Sequence, residues 1–465
     1  MTGIVTVNVT TTLAPTPATL QRTGAFVSHG GTSLTAGTFQ LLTASSDLAA
    51  ILTAPAANTS LAWSTGTVTV TTTAPHGYTN ADIVQFTIAG VTPTAYNGTF
   101  TCTITGANTF TYTLVSDPGL ETVPGTFVPV SATELTEMNT TWWAQGSSLG
   151  VYVLELGKLG DITAIAALST YLTNNPNSNY TPGSTGYFYA YCVPREWAGE
   201  TTYQTLTAAY EAADKMTYFF TPMTTVNYTN FTNTQKAVWG SVEAPTILST
   251  EYDAAADMYD VCVQNPSSTS QVPPFAFTYQ FNVTPYPLSG NSTILASLKA
   301  AGVNVVGTGA QGGISNNILL YGTTMDTKSF NWWYSIDWTV LNCNLAVANA
   351  VINGSNTNIN PLYYNQAGIN TLQSTVARVL NNGVTYGLLL GTVIQTELDP
   401  TTFATNVANG VYAGNAVVNA VPFTTYVAEN PSDYSIGKYG GLQVAIVPQL
   451  GFEQIVIDLN ASQFA

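Results

Sequence analysis

The 465-residue chain carries nine Lys and Arg against 25 Asp and Glu, a formal net charge of −16, and charged residues make up only 7% of it. So few, so scattered cations form no basic stripe for nucleic acid. No apolar run approaches a membrane span, and the start MTGIVTVNV lacks the charged and apolar regions of a secretory signal.

Hydrophobic residues at 45% supply real cores, and the length implies two to four domains. With so little charge, the surface must be covered by Thr, Ser, Asn, Gln and Tyr. That composition suits a protein whose surface is occupied by copies of itself; the 26 Tyr and 8 Trp fit a carbohydrate-binding surface equally well.

Residues 4–10 alternate apolar and polar side chains and stop at Leu13-Ala14-Pro15-Thr16-Pro17. Residues 21–54 read as compact α/β structure: a strand at Gly24-Ala25-Phe26-Val27-Ser28, a turn at Gly30-Gly31-Thr32 and a short helix near 46–52. From about 57 to 130 the signal is almost wholly β. Short threonine-rich runs are separated by Pro75-His76-Gly77, Asn97-Gly98 and Asp117-Pro118-Gly119, which predicts a small β-sandwich or barrel inserted into the fold.

Alternating helices and strands then resume, implying a mostly parallel or mixed layered sheet. Expected strands lie at 150–156, 186–193, 217–220, 303–307 and 317–321. Expected helices lie at 134–143, 161–172, 205–216, 232–239, 253–264 and 291–302. Two longer amphipathic helices follow at 337–351 and 365–380, the second stopped by Asn381-Asn382-Gly383. The stretch 441–465 reads as two short strands around a turn at Gln449–Gly451, with Ile455, Ile457 and Leu459 on one side of the last. Such a strand needs a partner, either in its own subunit's sheet or in a neighbour's.

The residues offer no catalytic constellation. Two histidines, His29 and His76, are too few for most nucleophilic sites, and His76 in its Pro-His-Gly turn reads as a turn residue. Cys102, Cys192, Cys262 and Cys343 lie far apart, so buried free thiols are expected, with no metal and no cofactor. The Gly-rich stretch 307–313 lacks the Lys-Ser/Thr of a phosphate loop and reads as a polar connection. Glu211 with Asp214 on one helix, and Glu251, Asp253 and Asp257 nearby, are the only acidic groupings on which a glycosidase could be built.

Several segments, in order, resemble a contractile tail sheath protein of a myovirus-type bacteriophage. They are Arg22-Thr23-Gly24-Ala25-Phe26-Val27, Trp142-Trp143-Ala144-Gln145-Gly146 leading into Val151–Leu156, and Leu320-Tyr321-Gly322-Thr323-Thr324-Met325. Trp332–Trp338 feeding a long helix, Asn430–Leu442 and Phe452–Leu459 complete the set. The inserted segment, VTVTTTAPHGYTNADIVQFTIAG with YNGTFTCTITGANTFTYTL, resembles a small β module found repeatedly in phage tail proteins.

The resemblance implies a multidomain α/β (α+β) chain. It would have an N-terminal arm (1–20), a discontinuous central α/β domain (21–54 and 131–322), a β-sandwich-like insertion on the tail exterior (55–130), a mixed-sheet core domain (323–451) and a C-terminal arm (452–465). It further implies a helical homo-oligomer around a tail tube protein, ended by baseplate and tail terminator proteins. Such a polymer sits in the virion tail after assembly in the host cytoplasm, with no nucleic-acid partner or membrane anchor. Strands carrying Ile4, Val5, Val7, Val9, Ile455, Ile457 and Leu459 would be exchanged between subunits, and Asp433 and Lys438 would face the tube. A receptor-binding or adhesin-like virion protein, and a polysaccharide-degrading enzyme, are the alternative readings.

Overall fold

The computed structural model describes residues 19–231, 235–309 and 316–452. The expected exchange residues Ile4, Val5, Val7, Val9, Ile455, Ile457 and Leu459 lie outside these.

The first layer is a six-stranded sheet built from β1 (Gly24–Ser28), β2 (Thr38–Leu42) and, after a long excursion, further strands. The excursion holds β3 (Ala56–Ser64), β4 (Thr67–Thr72), β5 (Ile83–Thr92), β6 (Gly98–Gly106), β7 (Thr109–Thr113) and β8 (Val123–Pro129). The chain returns through α1 (Val130–Gln145), β9 (Val151–Glu155), α2 (Asp161–Asn174), β10 (Ala190–Cys192), α3 (Thr201–Ala208), β11 (Tyr218–Met223), β12 (Val238–Val242) and α4 (Asp253–Cys262).

The sheet order is β12-β11-β10-β1-β9-β2, parallel except for antiparallel β2 at one edge. Every residue of β1, β10, β11 and β12 is buried, as expected of parallel strands covered on both faces. Leu135, Met138 and Trp142 of α1 and Met258 of α4 fill one face. Ile165 and Leu168 of α2 and Tyr203 and Leu206 of α3 fill the other.

The threonine-rich segment closes into a barrel of order β3-β4-β7-β6-β5-β8, where a sandwich-like insertion was one expectation. Closure follows because β8 pairs with both β3 and β5 (Ala56 opposite Phe127, Thr87 opposite Val128), leaving no edge strand. Gly125 permits it: it has φ +63°, and a side chain there would strike the Ala89 carbonyl. Val68, Val70, Phe86, Ile104 and Phe110 fill the interior.

The barrel seats on the body, where the Lys158 Nζ donates to the His76 carbonyl at 2.9 Å. Because its two ends are paired strands, residues 56–129 should be removable. Joining 55 to 130 through a short glycine linker is expected to leave a cooperatively folding body with Tm within about 5 °C, read by circular dichroism.

The chain continues through α5 (Ser292–Ala300), β13 (Val306–Thr308) and β14 (Asn317–Leu319) into α6 (Phe330–Ser355) and α7 (Gln366–Thr385). Next come β15 (Val393–Thr396), α8 (Pro400–Ala408), β16 (Ala416–Ala420), α9 (Phe423–Glu429), α10 (Pro431–Ser435) and β17 (Leu442–Ala445). The first turns of α6 press into the central sheet: the Phe330 ring lies 4.8 Å from Tyr218 and 5.3 Å from Trp239, centroid to centroid. One core therefore runs from the central sheet through α6 to Val376 and Leu380 of α7 and Val418 of β16.

Three expectations need correction. The expected helix 232–239 gives way, from Val238, to strand β12, because Val238–Val242 is wholly buried as an extra strand beside β11. The helix expected at 205–216 is α3, which ends at Ala208, so Glu211 and Asp214 do not share a helix. Glu211 instead caps backbone, accepting from Lys236 N at 2.6 Å and Ala237 N at 3.4 Å. Asn381-Asn382-Gly383 does not stop α7, since Gly383 is there for packing: a Cβ would meet Leu389 at 2.9 Å and Trp338 at 3.2 Å.

Candidate assembly surface

In the C-terminal half β15 runs parallel and β17 antiparallel to the central strand β16. β16 is wholly buried, whereas β15 and β17 are half-exposed. The buried Asn419 joins all three strands. Its amide donates to Leu398 O (2.9 Å) and Gln443 Oε1 (3.0 Å), and its oxygen accepts from Thr396 Oγ1 (2.9 Å) and Leu398 N (2.8 Å). Gln373 of α7 pins the covered face, donating to the Thr396 and Val418 carbonyls at 2.8 and 3.2 Å. Among the described residues no strand pairs with the outer edge of β15 or of β17. An open edge is a row of backbone donors and acceptors that another chain can complete.

Asp433, in α10, and Lys438, just after it, stand between α9 and β17 on a largely exposed stretch. The structure brings them together: Lys438 Nζ lies 3.3 Å from Asp433 Oδ2, which also accepts from the Tyr426 hydroxyl at 2.8 Å. The Tyr426 hydrogen bond, then the Lys438 ammonium, hold the Asp433 carboxyl below its ordinary range. Tyr364, Phe423, Tyr434 and Tyr439 pack beneath with centroids 5.3–6.1 Å apart, and the Tyr439 hydroxyl ties to Val421 O at 2.7 Å. The loop is therefore a rigid, solvent-facing platform with one cation and one anion.

The central sheet has its own candidate position. Chain order reverses about β1, whose neighbours are β9 and β10, and open α/β sheets bind ligands at the strand ends beside such a reversal. Here that crevice is filled by the chain itself. Glu155, at the end of β9, accepts from the Ser28 hydroxyl (2.7 Å), Gly30 N (2.7 Å), Thr32 N (3.1 Å), Thr32 Oγ1 (2.7 Å) and Gly157 N (2.8 Å). Beyond β10, Arg195 forks onto Glu243 (2.8 and 3.0 Å), reaches Glu137 (2.5 Å) and Glu134 (3.6 Å), and stacks 4.1 Å from the Tyr252 ring centre. Burial works against its charge, but the hydrogen bond and charge of Glu243 hold its pKa above the ordinary value.

The acidic grouping Glu251, Asp253 and Asp257 belongs to this buried region, each at most 1% exposed. Glu251 accepts from Thr284 N and Oγ1 at 2.5 and 2.7 Å and from Leu248 N. Asp257 accepts from the Trp239 indole at 2.9 Å and from the Ser241 hydroxyl. Glu251 and Asp257 thus hold strands and loops, while Asp253 Oδ1 and Asp257 Oδ1 are buried without a partner among the described residues; all three carboxylates are buried. His76 is buried as well, its Nδ1 accepting from Tyr78 N at 3.2 Å. Cys102, Cys192, Cys262 and Cys343 are free thiols. No group of His, Cys, Asp or Glu among the described residues is arranged to hold a metal, and no described helix is long and apolar enough to cross a membrane.

Sequence reasoning passed over Arg195 and Asn419. Arg195 is one of only three arginines and stands just past Pro194, at the end of the expected strand 186–193, a position where a lone buried cation could have been suspected. Asn419 interrupts the apolar run 416–421, where a lone amide marks a buried hydrogen-bond junction.

No family model matches the chain, and no curated protein matches it. Among solved structures, the chain shows low similarity to the following two. The anti-feeding prophage helical sheath in its contracted state is 11% identical with a TM-score of 0.48, covering 100% of both chains. A sheath tail protein from Listeria innocua is 11% identical with a TM-score of 0.40, covering 81% of this chain and 87% of that one.

Proposed function

We propose that this chain is the structural subunit of a contractile phage tail sheath, polymerising helically around a tail tube and contracting to drive it through the host envelope. The observation that carries the reading is the three-stranded sheet β15-β16-β17, whose outer edges no described strand pairs, in a chain whose two terminal segments alternate apolar and polar residues in sequence. The segments bearing Ile4, Val5, Val7 and Val9, and Ile455, Ile457 and Leu459, add to those edges in neighbouring copies. A head-to-tail contact of this kind that does not close generates a helix. The scarcity of charge fits a surface spent on copies of itself.

In this reading the Asp433–Lys438 platform faces the tube, the barrel lies on the tail exterior, and baseplate and terminator proteins end the polymer. Contraction is then a change between two packings of a subunit whose arms stay paired. The chain acts by assembly and not by catalysis.

Sedimentation and negative-stain microscopy of the purified chain test this. Full-length protein is expected to form tubes, and deletion of 1–16 or of 453–465 to leave discrete particles. Unaltered tubes from both truncations would sink strand exchange. A single platform substitution such as K438E is expected to leave the tubes intact and weaken only their hold on a tail tube, read by co-sedimentation.

A further inference from the structure

A groove of about 720 Å³ runs between α6, α7 and the loop 264–267, with Gln21 and Arg22 at one side. Its chemistry is unlike the rest of the protein. Two of the three arginines, Arg22 and Arg378, line it, and no carboxylate among the described residues does, although the chain bears a net charge of −16. Asn349, Asn353 and Asn382 add amides along its length. Two donors are buried there without an acceptor among the described residues: Arg22 Nε and Asn349 Nδ2. Neither arginine meets a described carboxylate within 4 Å, whereas Arg195 meets three. A groove so rich in donors, with no described carboxylate in it, suits a segment that supplies carboxylates and backbone carbonyls.

The chain carries such a segment, and the described residues that lead into it pack beside an element bonded to the groove. Residues 453–465 contain Glu453 and Asp458 and no Lys or Arg, whereas residues 1–18 contain no charged side chain. Gln449 N donates to Leu388 O at 2.8 Å, and Gly451 packs against Pro274. Val272, two residues before that proline, donates to the carbonyl of Tyr386, which lines the groove, at 3.0 Å. From Phe452 a further thirteen residues reach as far as roughly 40 Å when extended, ample to run the groove's length.

We infer that segment 453–465 docks into the α6–α7 groove of its own subunit, with Glu453 and Asp458 meeting Arg22 and Arg378. Tethering sets a millimolar effective concentration, so the dilute subunit holds its own tail before any neighbour can. The docking itself requires no polymer. Its consequence, that the arm is stored until assembly releases it to a neighbour's sheet, rests on the sheath reading above.

Hydrogen exchange by mass spectrometry on the full-length, unassembled chain tests the docking. Amides of 454–460 are expected to exchange more than tenfold slower than in an unstructured peptide, unchanged over a tenfold dilution. E453Q/D458N is expected to abolish that protection while every other region keeps its rate, and R22Q/R378Q to do the same. The swap R22E/R378E with E453K/D458K is expected to restore it. Unprotected amides in the parent chain, protection indifferent to E453Q/D458N, or protection that fades on dilution and so comes from a second copy, would each overturn the proposal. Tube formation, scored separately by microscopy, tells a failure of the sheath reading from a failure of the docking.

Discussion

Arg195→Met is expected to lower the unfolding free energy by about 3–5 kcal/mol, because it removes the cation and leaves its carboxylates buried together. Glu134, Glu137 and Glu243 each lie within 4 Å of that guanidinium, and Asp253 is buried beside Glu243, its N–H on Glu243 Oε1 at 3.4 Å. Burial already raises the Glu134 and Glu137 carboxyls above their ordinary range even with Arg195 present. Without it they rise further, so the defect shrinks on acidification as the carboxyls take up protons. Urea unfolding at pH 7.5 and pH 5 reads both effects. A loss below about 1 kcal/mol at pH 7.5 would show that the network is not holding α1 and the β10 loop together. Arg195→Lys is expected to recover only part of the loss, since an ammonium cannot fork onto Glu243 while reaching Glu137.

The second large effect is a fall in stability as pH rises from about 4 to 8. Asp337 of α6 accepts from the hydroxyls of Tyr189 (2.9 Å) and Tyr218 (2.8 Å), and burial pushes its pKa up to about 7. Burial likewise pushes Asp257 up to about 6. Each carboxyl holds its proton more tightly folded than unfolded. Its contribution is therefore complete below the unfolded value near 3.8 and is lost as pH climbs through the folded one. For Asp337 that amounts to on the order of 4 kcal/mol between the two limits.

Asp337→Asn keeps an acceptor for both tyrosines and cannot ionise. It is expected to flatten the profile and to stabilise the chain at pH 8 by roughly 1–3 kcal/mol, the gain being reduced because Lys236 loses a nearby counter-charge. Denaturant unfolding of parent and variant at pH 5 and 8 checks this. A parent chain equally stable at both, or a variant weaker at pH 8, would contradict it.

Much of the architecture was legible wherever one local rule dominated. Gly24–Ser28 reads as a buried strand because parallel strands covered on both faces are continuous apolar runs. The barrel strands read as strands because threonine alternates with Val, Phe and Ile between Gly-rich turns. What stayed hidden depended on partners far away in sequence. Val238–Val242 becomes a strand because β11 offers it an edge, not because of its own pattern. Glu211 lies beyond the helix, where Lys236 and Ala237, on the far side of β11 in the chain, supply backbone donors. Closure of the barrel turns on β8 reaching both β3 and β5, which no single window contains.

The candidate assembly surface proposed here was half legible. Residues 4–10 and 454–460 announce strands in need of a partner, but the sheet that offers open edges is fixed only by Asn419, Gln373 and the burial of β16. The acidic grouping at Glu251–Asp257 looked available in the sequence because burial cannot be seen there.

Helical reconstruction of the assembled chain by electron microscopy tests the central claim most directly. The account predicts a β15-β16-β17 sheet completed at its edges by strands 4–10 and 454–460 of neighbouring copies. Discrete, closed particles, or a helical polymer in which both edges remain bare, would contradict it.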